Sequence, residues 1–444
     1  MAAKKAPPAK AKAAGPKPAA KAAPAAATAL KLTAESSTRE EVQQSLVNPQ
    51  KQTVLRDWAA SMNKERNVVA MANDAPNVYA VRRPTGIMNL DIDIGGGFPA
   101  GGLSVVSGPD NAGKTFLILK AMAMHQRLYG KNSVLGFAPV EGAFDYKRAL
   151  DLGMLLEVPD VIIDHWNQIN ATIGLPSYTR EQILFFKRKV GEFIILRGST
   201  GEETMNTVLE AVKLNQFGII GVDSFSILLP QHDVAKDVGE SPARAANANL
   251  MTDFIKKYTP HTTGIFGANY TSLIGVMQVR ANADKAQAST FMQKYIKDWK
   301  PTGAYATRHG KLVDLQVWEG AKIERTVNSQ KLTIGKVVNW KVEKGKAGCH
   351  DNSSGQFDFI YDMPGGTNDI ESIIICGVRQ GVFVEENRKV QVYNPITRER
   401  TTLGGFANYQ EFGRVMATDF DFEHQMRLYV TAGAGLQCLY RPQV

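Results

Sequence analysis

The chain lacks any hydrophobic run long enough to cross a bilayer. Its best stretch, residues 219–229, is interrupted by Asp223 and falls short of the roughly 18 residues a membrane helix needs. Cysteine is scarce. Cys349, Cys376 and Cys438 are the only three, with no CxxC spacing, which argues against a disulfide framework or a zinc site and fits a reducing, cytoplasmic setting. Residues 1–31 contain no acidic residue, no arginine, no serine and no continuous apolar segment. A secretory signal needs the apolar segment, and an organelle presequence usually brings arginine or serine, so neither is expected. Internal repeats are absent as well.

What residues 1–34 do contain is alanine, lysine and proline in irregular order. Prolines 7, 8, 16, 18 and 24 break any helix and there is no apolar face to bury, so the composition reads as a disordered basic tail with DNA or another polyanion as its partner. The net charge of +9 is concentrated here. Seven lysines lie in residues 1–31, and without them 45 basic residues face 43 acidic ones. Nucleic-acid contact by the remainder must therefore come from local patches. A hydrophobic fraction of 44% in 444 residues is ordinary for a globular chain of two or three domains.

Helices are expected over residues 35–47 and 52–64, the second with Val54, Leu55, Trp58 and Met62 on one face. A short strand is expected at 77–83, closed by Pro84. Beyond Thr85 strand-like runs recur at 103–107, 133–138, 192–196, 218–223, 273–279, 312–317 and 332–342, with helical stretches between several of them. This alternation predicts an α/β fold with a mainly parallel central sheet and some late antiparallel hairpins. After Gly365-Gly366 come a short helix over 370–380, a hairpin around Asn394-Pro395 and a helix-rich end from Asn408. The organisation expected is a tail over 1–34, a helical segment over 35–84, an α/β core over 85–366, and a small α+β domain over 367–444.

The core is organised around residues 105–115, VVSGPDNAGKT. Gly108, Pro109, Asp110, Asn111, Ala112, Gly113, Lys114 and Thr115 fit the pattern G-x-x-x-x-G-K-[ST], with a strand before and a helix after, as a phosphate loop requires. The glycines let backbone N–H groups curl around phosphate oxygens, and the helix N-terminus faces the anion. Lys114 is placed for the β/γ-phosphates and Thr115 for Mg²⁺. An apolar strand ending in Asp223, followed by Ser224, supplies the second half of such a site, a carboxylate that can hold the metal through water. Glu141 follows a third strand, where strand ends meet at a ligand crevice, and is placed to orient or deprotonate water.

These motifs closely resemble RecA-type recombinases, looking most like bacterial and bacteriophage members. The resemblance runs from PTGIMNLDIDIGGGFPAGGLSVVSGPDNAGKT through VEGAFDYKRALDLG, GVDSFSILLP, IGVMQVR and WKVEKGKAG to QFDFIYD, covering roughly residues 50–415. It implies a RecA-like core, ATP and Mg²⁺ as cofactors, and a DNA-dependent ATPase. The protein would assemble as a helical homo-filament on single-stranded DNA and exchange strands with double-stranded DNA, aided by single-strand-binding and loader proteins. By position it makes Glu141 the catalytic glutamate, Asp145 an adenine contact, Asp223 and Ser224 the magnesium-side pair, and Gln278 the γ-phosphate sensor. It makes Lys344 and Lys346 cations that reach a neighbouring subunit's nucleotide, where a bland alternative is a solvated strand edge. It marks residues 231–243 and 281–302 as DNA-facing. In the second, Lys285, Lys294, Lys297 and Lys300 interleave with Phe291, Tyr295 and Trp299, a spacing that also fits one face of a helix. Three departures stand out: an insertion over 154–192, the missing acidic C-terminal tail, and Arg148 where a stacking tyrosine is usual. Two other functional classes fit parts of the pattern: a ring-forming helicase, expected to carry an arginine finger in place of the lysine pair, and a DNA-coating scaffold with little ATPase activity.

Overall fold

Hydrophobic alternation along a buried strand delivers side chains to two opposite faces, and this chain uses both. The computed structural model describes residues 49–62, 81–234, 246–262, 268–281, 299–301 and 310–436. The helix expected over 35–47 and most of the strand expected over 77–83 lie outside these. Helix α1 (Pro49–Met62) occupies the second predicted helical stretch, with Trp58 and Met62 exposed.

From residue 81 the order is β1 (Arg82–Arg83), α2 (Met88–Asp93), β2 (Phe98–Pro99), β3 (Leu103–Gly108), α3 (Lys114–Tyr129), β4 (Val134–Pro139) and α4 (Tyr146–Asp151). Then come α5 (Asp160–Thr172), α6 (Arg180–Phe186), β5 (Glu192–Ile195), α7 (Gly201–Leu214), β6 (Ile219–Asp223), the short α8 (Gln231–Val234), α9 (Ala246–Thr262) and β7 (Ser272–Ala281). The later part holds β8 (Trp299–Pro301), β9 (Lys311–Val327), β10 (Gln330–Gly345), β11 (Ser354–Ile360), α10 (Asp369–Arg379), β12 (Phe383–Glu386), β13 (Lys389–Tyr393), β14 (Arg400–Phe406), α11 (Tyr409–Thr418) and α12 (Phe420–Gly433).

The central sheet runs β11-β10-β9-β3-β7-β6-β4-β5, with β8 attached to β7. Strands β9, β3, β7, β6, β4 and β5 are parallel. Antiparallel pairing joins β9 to β10, β10 to β11 and β7 to β8. This is the mixed, mainly parallel α/β core that the alternation of elements predicted. Val106, Ile219 and Ile274 face one core with Phe116, Leu117 and Ile118 of α3 and with Val338 and Trp340 of β10. Their chain neighbours Val105, Ile220 and Leu273 face the other, against Val208 and Leu209 of α7 and Phe254 and Tyr258 of α9.

The insertion over 154–192 folds as α5 and α6. Leu150, Val158, Ile163 and Phe186 form its own small core, with Tyr146, Trp166 and Tyr178 packed around them. Thr179 starts α6 with a reciprocal capping box to Gln182. Both ends of the insertion are tied to one side chain. The Gln126 amide donates to the carbonyls of Leu155 (3.0 Å) and Val190 (2.9 Å) and accepts from the Leu155 N–H (2.9 Å).

The small antiparallel sheet β12-β13-β14 packs with α10, α11 and α12 around Phe383, Phe412, Met426 and Val430, and Met88 and Ile92 of α2 join the same cluster. Ion pairs run between these C-terminal helices and α3: the largely buried Lys120–Asp369 at 2.8 Å, and an exposed Arg127 on the buried Glu423 at 2.6 Å, with the buried Arg427 also on Glu423. Among the described residues no helix is long and apolar enough to cross a membrane.

Candidate nucleotide site

The site grows from the carboxyl ends of four adjacent strands, β3, β7, β6 and β4. Gly108 ends β3 against β9, so closely that a Cβ would lie 2.2 Å from the Val317 carbonyl oxygen; only glycine fits. The chain then turns through Asn111 (φ 59°) and Gly113 (φ 92°), both left-handed, and Gly113 caps α3. No side chain covers the helix start, so its free N–H groups and dipole are presented to an anion.

Lys114 is buried, and its ammonium donates to the carbonyls of Gly108 (3.0 Å) and Pro109 (2.6 Å) within its own loop. Burial pulls its pKa down, while Asp110, Glu141 and Asp223 push it back up. The Thr115 hydroxyl donates to Asp223 Oδ2 at 2.5 Å. Burial raises the pKa of Asp223, the Thr115 hydrogen bond works against that, and the nearby Glu141 charge adds to it. Asp223 Oδ1 and the Ser224 hydroxyl are buried with no hydrogen-bond partner. A buried carboxylate oxygen and hydroxyl left over beside Thr115 suit a hard cation and its waters. The donor set therefore fits Mg²⁺.

Glu141 is brought to the same place by backbone bonds. The N–H groups of Val140 (2.7 Å) and Glu141 (3.0 Å) both donate to the Asp223 carbonyl, latching the chain after β4 to the end of β6. Gln278 stands opposite Gly108 in the β3–β7 register. Its side-chain amide donates to Glu141 Oε1 at 3.3 Å, and its N–H donates to the Ser226 hydroxyl at 2.8 Å. Glu141, Gln278, Asp223, Thr115 and Lys114 thus surround one small volume.

The other sequence-predicted residues make contacts of their own. Asp145 caps α4, its carboxylate accepting from the Arg148 N–H at 3.0 Å. Arg148 lies with its guanidinium 5.9 Å from the Phe359 ring centroid. Lys344 pairs with Asp314, which pairs with Val105, so the lysine sits toward the far end of the sheet from the loop. Lys346 lies one residue past the end of β10, its N–H donating to the Leu312 carbonyl at 2.8 Å. Strand alternation sets no common direction for the two side chains, because the β9–β10 register slips between Val342 and Lys344 and the strand stops at Gly345. Burial, then the neighbouring Lys346 and Lys311 charges, lower the Lys344 pKa, with Asp314 and Asp351 opposing. Of the two expected DNA-facing segments, residues 235–243 of the first and 282–298 and 302 of the second lie outside the described residues.

The sequence reading missed Lys336 and Glu319. The Lys336 ammonium donates to the Asn111 carbonyl in the phosphate loop and lies 3.3 Å from Glu319 Oε2. Nothing in a linear pattern links positions 225 residues apart.

No protein-family model matches the chain. It is similar to proteins named RecA. It is 25% identical to that of Leptospira biflexa serovar Patoc over 336 residues, 76% of this chain and 68% of the relative. Identity to that of Leptospira meyeri is 25% over 302 residues, 68% of this chain and 63% of the relative. For Oleidesulfovibrio alaskensis it is 25% over 348 residues, 78% of this chain and 82% of the relative.

Proposed function

We propose that this protein is a RecA-type recombinase: a DNA-dependent ATPase that assembles as a helical filament on single-stranded DNA and pairs and exchanges homologous strands. The observation that carries the reading is the convergence of Lys114, Thr115, Asp223, Glu141 and Gln278 on one volume, together with a lysine pair that cannot serve its own loop. The similarity to RecA proteins over most of the chain supports it.

In this reading Lys114 exchanges its loop carbonyls for the β/γ-phosphates of ATP. A Mg²⁺ held by Thr115 and, through water, by Asp223 would neutralise charge on the transferring phosphoryl group. Glu141 orients and deprotonates the attacking water. Gln278 bonds that carboxylate from β7, the strand leading into residues 281–302, so it can report the γ-phosphate to a DNA-facing segment. Lys344 and Lys346 complete the neighbour's site, which makes turnover depend on assembly.

The test is ATPase rate with and without single-stranded DNA, together with negative-stain microscopy in a non-hydrolysable ATP analogue. DNA-stimulated hydrolysis and helical filaments are expected. Closed rings would replace the reading with a helicase; slow, DNA-indifferent hydrolysis without ordered filaments would replace it with a DNA-coating scaffold.

A further inference from the structure

The phosphate loop is gripped from one side by the β9–β10 hairpin. On β10, Lys336, Val338, Trp340 and Val342 alternate inward and all are buried. Val338 lies under the loop, 3.8 Å from where a Cβ on Gly113 would stand. Lys336, two residues earlier on the same face, bonds the Asn111 carbonyl at the loop's tip, with Glu319 on its other side.

Two irregularities aim this lysine. The β9–β10 register slips between Thr333 and Gly335 and again between Lys336 and Val338. Across the second slip β9 advances from Glu319 to Lys322 while β10 covers only Val338 to Lys336, so β9 carries the extra residue. Bulges of this kind bend and twist a ladder locally and re-aim its side chains.

We infer that Lys336, braced by Glu319, is a positioning residue for the phosphate loop, fixing the Asn111–Ala112 peptide so that the Ala112 N–H faces bound phosphate. The inference rests on the nucleotide-binding reading above. A trans peptide is planar, so its C=O and N–H point opposite ways. With the Asn111 carbonyl held on the hairpin side, the Ala112 N–H must point into the loop. There it reaches the Pro109 carbonyl at 3.4 Å, a long bond that leaves the donor lightly engaged. Asn111 also holds a left-handed conformation that most side chains avoid, and the lysine contact keeps it there.

A donor touching phosphate equally in the ground and transition states changes KM and leaves kcat alone. In the full-length protein with single-stranded DNA, Lys336→Met should raise KM for ATP about tenfold with kcat within about twofold. Inorganic triphosphate, which offers only the phosphates, should bind weaker by the same factor. Lys336→Arg restores charge and donors, and should recover most of the affinity. Should the Met variant not fold, Glu319→Gln removes the brace from a half-exposed position, and KM should rise about two- to threefold. An unchanged KM in either folded variant overturns the inference. So does a loss confined to kcat, or a lowered melting temperature in the Met variant with no recovery of affinity by Arg. Failure of the underlying reading looks different: Lys114→Ala would then keep wild-type nucleotide affinity.

Discussion

Lys344→Ala combined with Lys346→Ala tests assembly and chemistry together. Lys344 stands level with Val105, two strands over and three residues back from Gly108. At about 3.3 Å per residue and 4.8 Å per strand, that is about 14 Å from the start of its own phosphate loop, which then curls further away. An extended lysine side chain does not cover that distance. If the pair acts on nucleotide it acts on a neighbour's, and the double variant should fold and bind ATP while losing DNA-stimulated turnover. Mixing it with Glu141→Gln turns this into arithmetic. In a head-to-tail filament each site takes Glu141 from one subunit and the lysine pair from the next. Only the pairing of a lysine-less subunit, as the glutamate donor, with a Glu141→Gln subunit, as the lysine donor, is complete. Random mixing in equal amounts gives about one quarter of interfaces that composition, so activity should rise from near zero to about one quarter of wild type. It should follow the product of the two mole fractions. A steady-state ATPase titration on single-stranded DNA reads this directly. A flat, inactive titration in filaments shown by microscopy to contain both variants would refute the trans role.

Glu141→Gln alone preserves shape and can still accept the Gln278 hydrogen bond, so ATP affinity should hold while single-turnover hydrolysis falls about 100- to 10,000-fold. A fall smaller than tenfold would move water activation to another group. Asp91, fully buried, accepts from the Thr85 N–H (2.8 Å), the Thr85 hydroxyl (2.8 Å) and the Gly86 N–H (3.0 Å). Burial nonetheless raises its pKa from 3.8 to about 6, against those bonds and the Arg427 charge. The folded state therefore keeps this proton to higher pH than the unfolded chain, and the group's contribution to stability falls as pH rises from about 4 to about 6. The loss is about 3 kcal/mol. Thermal or denaturant unfolding of wild type and Asp91→Asn should show their stability difference shifting by that amount across the window; a constant difference would contradict it.

How much of this was legible in the sequence depends on the range of each contact. The loop over residues 108–115 is contiguous, and backbone geometry demands glycine at Gly108 and Gly113, so its conformation was legible in the motif. Asp223 and Glu141 were readable because each follows an apolar strand, and parallel strands of one sheet bring their carboxyl ends together. The β9–β10 hairpin was under-read: strands expected over 312–317 and 332–342 extend to 311–327 and 330–345. Its outer half is exposed and polar and lacks the hydrophobic signal that marks the inner half. Lys336 was invisible for a related reason, since its role depends on two register slips and a partner in a distant loop. Asp145 carries a local role that its own sequence context explains: its carboxylate starts α4, the hydrogen bond that a helix-capping aspartate makes.

The way Gln126 holds both stems of the α5–α6 insertion makes that segment a module of its own. Leu155 and Val190 meet at one amide, so the segment between them leaves and re-enters the fold at nearly the same point. It also brings its own small core of Val158, Ile163 and Phe186, seated on Leu150 of the preceding helix. Such a segment can be shortened or replaced without re-registering the strands on either side, because neither its anchoring amide nor its core draws on their pairing.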